Sequence, residues 1–254
     1  MLFRIDDGDA IGLNGIIAPE IFLMPNIKEV ELGYLDPDED IKKRGKLGGG
    51  IPENIGSSNE LRVLDLQRQK ISGDIPASFY NTSLRVVDLD GNKLTGVISN
   101  DVAKMQNLVF WSASDNNFDR QVIPSGFGSI PGLKFFSMRK ANLEGNVPLT
   151  FSDLTKMTQI DLSENALIGT IDFVNGYTNL EALSLFKNEF SGEVPSSLWK
   201  NSVMTVLILE DNDFTGEISS DISKMTELKS KFHTDLSTTT GTFLIRPSTH
   251  TSNF

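Results

Sequence analysis

The sequence predicts a stacked-repeat solenoid, and three observations carry the prediction. The first is self-similarity at a period of about 24 residues, the mark of an array in which each unit packs only on its neighbours. It is plainest over Leu180, Leu183, Leu185, Asn188, Phe190, Gly192, Val194 and Pro195. The same spacing returns at Met157, Ile160, Leu162, Asn165, Leu167, Gly169 and Ile171, and at Leu84, Val87, Leu89, Asn92, Leu94, Gly96 and Ile98. The second is the alternation Leu183-x-Leu185 and its equivalents, which turns side chains two apart to one face, the period of a strand. The third is a column of amides, Asn92, Asn116, Asn165, Asn188 and Asn212, each placed where the backbone must turn.

Composition narrows the partners. The 254 residues carry 23 basic and 34 acidic side chains, a formal charge of −11, which repels nucleic acid and anionic membrane alike. A hydrophobic share of 39% is modest, and an elongated, surface-rich stack tolerates it. No run approaches the roughly 18 apolar residues of a membrane span, and the start, Met1 to Asp9, has no apolar core of signal-peptide length. There is no cysteine, which excludes disulfides, thiol chemistry and zinc-thiolate sites.

Taken in order, residues 1–26 read as a partial repeat or an N-terminal cap, with Leu13, Gly15, Ile17 and Ile21 near the places of Leu94, Gly96, Ile98 and Val102. The first expected strand holds Ile27, Val30 and Leu32, and an insertion at 33–44 follows, containing Asp36-Pro-Asp-Glu-Asp40. The pattern resumes at Leu47, Gly49, Ile51 and Pro52, and later units start at Leu61, Leu84, Leu108, Leu133, Met157, Leu180, Met204 and Leu228. The array is thus expected over 27–236, with a degenerate last unit where Lys231 stands in a leucine's place. The Thr- and Ser-rich tail, 237–254, is expected to be frayed and to add nothing to stability.

Within a unit each residue type has a physical task. A buried asparagine offers two donors and two acceptor lone pairs, enough to satisfy turn backbone in its own coil and the next. Gly45, Gln69 and Ala141 fall in the same column, and at Gly45 and Ala141 no side-chain hydrogen bond is possible. The ladder is therefore expected to be imperfect at Gln69, with a smaller cost for alanine there than at Asn165. The glycine column (Gly15, Gly49, Gly73, Gly96, Gly145, Gly169, Gly192, Gly216) implies tight or positive-φ turns, and Arg120 breaks it in a unit with one extra residue before Pro124. Ile-Pro and Val-Pro pairs then set an extended segment. Phe79, Val102, Phe151, Leu198 and Ile222 are placed to plug the convex side from short 3₁₀ or α turns.

The motif Leu-x-x-Leu-x-Leu-x-x-Asn-x-Leu-x-Gly-x-Ile-Pro resembles the plant-type leucine-rich repeat family over roughly 10–230, about eight units in register and a degenerate ninth. That resemblance implies an α/β fold, a right-handed solenoid with a parallel concave β-sheet and irregular or 3₁₀ turns on the convex side. Members of the family are mostly ectodomains of receptor-like kinases and receptor-like proteins, or secreted polygalacturonase-inhibitor-like proteins. They bind proteins or peptides on the concave or lateral surface, which implies a cell-surface or extracellular setting. This chain departs from the family in lacking the capping cysteine pairs, a transmembrane segment and a kinase signature.

Candidate sites follow from the columns. Asp36, Asp38 and Asp40 are spaced as in the first half of a calcium loop, but Ile41 stands where glycine is required and Leu47 where the bidentate glutamate belongs. The default there is a solvated acidic loop. Gly45 to Gly50 lacks the Gly-Lys-Ser/Thr ending of a phosphate loop, and His233 and His250 have no ligand cluster near them. No metal, no cofactor and no catalytic residue is expected. The outward strand column is more informative. It reads Glu29, Val63, Val86, Phe110, Phe135, Gln159, Ala182, Val206, so Val63 to Phe135 form an apolar stripe of the kind that anchors partners. The competing reading is that this column packs against the neighbouring turn. Asp65, Asp88 and Asp161 share a column beside it and favour a basic or mixed peptide. A further column, Arg68, Gly91, Asp115, Lys140, Glu164, Lys187, Asp211, alternates in sign from Asp115 onward and reads as a self-neutralising ladder. Asn81-Thr82-Ser83 is the only glycosylation sequon.

The expected function is non-catalytic recognition of a protein or peptide through the concave face, in a receptor-like ectodomain or a fragment of one. The alternatives are a secreted inhibitor of a glycan-cleaving enzyme, and a fragment of a receptor-like kinase whose catalytic domain lies outside this chain.

Overall fold

The computed structural model describes residues 2–4, 14–33 and 45–228. Across them the strand Leu2–Arg4 is followed in space by Glu29–Glu31, Val63–Asp65, Val86–Asp88, Phe110–Ser112, Phe135–Ser137, Gln159–Asp161, Ala182–Ser184 and Val206–Ile208, all parallel in one sheet. Spatial order is chain order, one strand per coil, which is how a solenoid builds a sheet from purely local stacking. The strand at Leu2–Arg4 pairs with Glu29–Glu31, so the sheet begins one strand before the first one expected from sequence. Residues 34–44 of the expected insertion, with Asp36, Asp38 and Asp40, and residues 229–254, which include His233 at the expected end of the array and the tail 237–254 with His250, lie outside the described residues.

From Glu29–Glu31 onward, each strand of this sheet sends its middle residue inward, beginning with Val30. Leu64, Val87, Trp111, Phe136, Ile160, Leu183 and Leu207 are buried, and the flanking residues face out. The opposite wall is a row of 3₁₀ turns, among them Ala77–Asn81, Asn100–Lys104, Ser125–Ser129 and Leu149–Asp153, with one short α turn at Ser196–Trp199. Phe79, Val102, Phe127, Phe151 and Leu198 plug the core from that wall, while Ile222 in the last described turn is only half-buried. In the middle coils the core is aromatic. Phe79, Trp111, Phe127, Phe136, Phe151 and Phe173 follow one another in edge-to-face contacts with centroids 4.8 to 6.5 Å apart. That zigzag fixes the backbone under Phe110 and Phe135, because Trp111 and Phe136 are the next residues along each strand.

The segments after the asparagines form a second run of short parallel strands: Gln121–Val122, Leu143–Asn146, Ala166–Gly169, Glu189–Glu193 and Asp213–Thr215. The asparagines hold the two runs together. Each Oδ1 accepts a backbone N–H of the preceding coil, from Ile71 to Asn92, Leu94 to Asn116, Leu143 to Asn165, Leu167 to Asn188 and Phe190 to Asn212, each at 3.0 Å. Each Nδ2 donates back to a carbonyl of that preceding coil, such as Leu66 for Asn92 and Met138 for Asn165.

Gln69 behaves differently from the expectation of a weak rung. It is buried, its Oε1 accepts Leu47 N–H at 3.1 Å and its Nε2 donates to Leu32 O at 2.7 Å. The space comes from Gly45: a Cβ on that residue would lie 1.9 Å from Gln69 Oε1. The longer side chain of one coil fills what the missing side chain of the previous coil leaves open. At Ala141 the next residue takes part of the task, with Asn142 at φ 57° donating to Phe118 O. Gln69→Ala is therefore expected to cost ~2 kcal/mol, since it strands a buried N–H and a carbonyl and opens a cavity. Urea unfolding against the parent chain measures it, and a loss near zero would contradict the rung.

Every member of the glycine column has positive φ. Gly96 shows why: at φ 65° an added Cβ would stand 2.4 Å from the Asp74 carboxyl carbon, so conformation and space both require glycine. In the unit that Arg120 interrupts, Gln121 turns inward and its Oε1 accepts Ile98 N–H at 2.8 Å, while Arg120 pairs with Glu144 at 2.6 Å.

Candidate functional site

Strand register builds the concave stripe. Glu29, Val63, Val86, Phe110, Phe135, Gln159, Ala182 and Val206 pair one to the next across the sheet. Val63, Val86, Phe110 and Phe135 are half-buried on its outer face. Phe110 and Phe135 stack with centroids 4.2 Å apart and planes 10° apart. The two rings contact each other across adjacent strands and leave their outer surface open, a rigid aromatic plate about two strands wide.

Two residues along the same strands lie the carboxylates. Asp65 and Asp88 are register partners, and Asp90 stands beside them one outward position further on. Asp161 belongs to the same column but is separated from Asp88 by Ser112 and Ser137, so the structure does not bring it to the pair. Asp65 accepts Gln67 N–H at 3.0 Å, and Asp88 accepts Asp90 N–H at 3.1 Å. Asp90 accepts Ser112 Oγ at 2.7 Å and Ser114 N–H at 2.6 Å. Asp161 accepts from the hydroxyl and the N–H of Ser163. Among the described residues, none of these four carboxylates is in an ion pair.

Burial outside any direct ion pair has a titration consequence, which the more distant guanidinium groups of Arg68 near Asp88 and Arg139 near Asp161 only offset in part. Desolvation, reinforced by the charge of Asp90, pushes Asp88 up to about 7. Desolvation raises Asp90 to about 6 even against its bonds from Ser112 and Ser114, and it raises Asp161 as well. A carboxyl that holds its proton more tightly folded than unfolded stabilises the fold fully below its unfolded value, near 3.8, and loses that contribution as pH rises through about 7. Between pH 5 and pH 8 the Asp88 carboxyl is expected to cost the fold ~2 kcal/mol, after allowance for its partial exposure. Asp88→Asn keeps an acceptor for Asp90 N–H and removes the charge. The variant should match the parent below pH 3.8 and exceed it by a margin that grows through pH 5 and levels off above about pH 7 in urea unfolding; parallel pH profiles would contradict the assignment.

Sequence reasoning missed Asp90 and Arg139, which share the next outward column with Gln67, Ser114 and Ser163. Reading that column would have found them. The column expected to neutralise itself does something else: Arg68, Gly91, Asp115, Lys140, Glu164, Lys187 and Asp211 all have φ between 49° and 65°. It is the left-handed residue that turns each coil into its ladder amide, and only Gly91 adopts it without a Cβ penalty. Within it the charge contact is Lys140 to Asp115, at 3.7 Å. Arg139 instead bridges Asp115, at 3.1 Å, and Glu164, taking up acidic charge that would otherwise adjoin the aromatic plate. Among the described residues no group of three or more His, Asp or Glu side chains is arranged to hold a metal ion, and no helix is long and apolar enough to cross a membrane.

Comparison with known proteins agrees with this architecture. The Leucine Rich Repeat family model matches residues 60–82, 83–105 and 179–201. The chain is 30% identical over 149 residues to Receptor-like protein 39 of Arabidopsis thaliana, covering 57% of this chain and 17% of that protein. It is 30% identical over 194 residues to Receptor-like protein EIX1 of Solanum lycopersicum, covering 72% of this chain and 18% of that protein. It thus spans less than a fifth of the length of these relatives. The solved plant peptide hormone receptor RGFR1, in complex with RGF2, superposes with a TM-score of 0.73 at 27% identity, over 88% of this chain and 35% of that one. The in-register repeats, the parallel concave sheet and these matches together support a plant-type leucine-rich repeat family for this array.

Proposed function

We propose that this array is a non-catalytic recognition module of a receptor-like ectodomain, and that it binds an extended protein segment or peptide on its concave face. The observation that carries the reading is the stacked Phe110 and Phe135 plate beside Asp65, Asp88 and Asp90, carboxylates that are partly buried and, among the described residues, in no ion pair. The charges of Asp88 and Asp90, whose carboxyls burial pushes up, cost the fold stability once ionised, and groups of this kind concentrate where a ligand completes them. Val63 and Val86 extend the plate into an apolar floor. A lysine or arginine lying next to an apolar residue in the partner would satisfy both halves at once, with Asp161 adding negative potential further along the face. Support by likeness comes from RGFR1, a plant peptide hormone receptor solved in complex with RGF2.

The test is selection of a random peptide library on the immobilised 254-residue chain. Enriched peptides are expected to pair a basic residue with an aromatic or branched aliphatic one, and their binding should weaken with added salt. Asp65→Asn should flatten that salt dependence more than it alters affinity at high salt. Enrichment of acidic peptides, or of none, would overturn the reading.

A further inference from the structure

Concave recognition leaves Asn81-Thr82-Ser83 without a role. Asn81 closes the 3₁₀ turn Ala77–Asn81 on the convex side, where Phe79 and Tyr80 before it are buried and Asn81 itself is exposed. Thr82 leaves the turn in extended geometry, and its hydroxyl donates to Phe79 O at 2.8 Å. The fold therefore pins the residues on both sides of Asn81 and turns its amide outward. On the flanking coils the equivalent last residues of the turns are Ser57 and Lys104, both exposed and neither apolar. A bulky hydrophilic group at Asn81 would meet polar residues at these flanking positions and would stand on the wall opposite Val63, Val86, Phe110 and Phe135.

We propose that Asn81 is an N-glycosylation site and that its glycan closes the convex wall around it to partners while leaving the concave stripe free. In the transfer, Asn81 Nδ2 bonds to the anomeric carbon of an N-acetylglucosamine-headed oligosaccharide supplied as a polyprenyl diphosphate. The bond from that carbon to the diphosphate breaks, the diphosphate leaves with the electron pair, and the amide gives up one proton. The inference rests on the receptor-like reading for one thing only, passage through the secretory pathway, where such a donor is used.

The experiment is secretion of the full 254-residue chain from plant cells behind a cleavable leader, followed by mass spectrometry of the peptide containing Asn81. Enzymatic glycan release in ¹⁸O water marks an occupied Asn81 as aspartate. Expected are an occupied Asn81 in the secreted, folded chain, loss of the glycan in Ser83→Ala, and retention in Ser83→Thr. Both substitutions leave Asn81 in place and change little volume, and circular dichroism confirms that each is folded. Unmodified Asn81 in folded, secreted protein, or a glycan that survives Ser83→Ala, would overturn the proposal. The readout needs no binding partner, so its failure is separate from failure of the concave-face reading.

Discussion

Asn165→Ala is expected to destabilise the array by ~3 kcal/mol, more than any of the other single substitutions proposed for stability. The amide makes five hydrogen bonds: Oδ1 accepts from Ala141 and Leu143, and Nδ2 donates to the carbonyls of Met138, Leu162 and Ser163. Two of those carbonyls keep other donors, since Asn188 Nδ2 also reaches Leu162 O and Lys140 N–H reaches Ser163 O. The groups left without the side chain are the N–H of Ala141, the N–H of Leu143 and the carbonyl of Met138. At ~1 kcal/mol for each stranded group, with water reaching the half-buried site, the sum is the figure given. Asn165 also stands inside the array, so its loss weakens the contact of two coils and cannot be absorbed by fraying at an end. Urea unfolding followed by circular dichroism measures it, and a loss below that of Gln69→Ala would refute the hydrogen-bond account of the ladder.

Joint replacement Phe110→Ala and Phe135→Ala is expected to abolish binding of the selected peptides, each ring contributing ~1–3 kcal/mol of affinity. The rings are central, rigidly held and stacked on each other, so little ordering cost falls on the scaffold when a ligand docks. Their loss should cost the fold far less, ~1 kcal/mol for the stacking contact and partial burial. The reason is positional. Trp111 and Phe136, the next residue in each strand, are fully buried and carry the core, whereas Phe110 and Phe135 face outward. Intact urea unfolding with lost binding is the predicted pair of results. A large stability loss would return these residues to the core, and unchanged binding would move the site off the plate.

Much of this fold is legible in the sequence because each repeat column has a single local cause. The asparagines and positive-φ glycines recur at fixed spacing, and one turn geometry demands each of them. What escaped reading depends on relations between coils. Gln69 looked like a defect in the ladder because its partner in length, Gly45, belongs to the preceding unit. The alternating charges from Asp115 to Asp211 looked like electrostatics, yet the property those residues share is a left-handed backbone, which charge does not report. The stripe was visible from strand parity, but the stacking of Phe110 on Phe135 needed the register. Asp161 fell into the acidic set by column alone, though the distance along the sheet separates it from Asp65 and Asp88. Asp90 and Arg139 went unread because their column mixes amide, acid, hydroxyl and base and so shows no type-specific periodicity.

The most direct test of concave-face recognition is site-specific photo-crosslinking. A benzophenone side chain is placed in turn at position 110 on the plate and at position 149, an exposed leucine on the convex wall, and each protein is irradiated with a selected peptide. Crosslinking from position 110, competed by excess unlabelled peptide and absent from position 149, is the predicted result. Competable crosslinking from position 149 with none from position 110 would contradict the account.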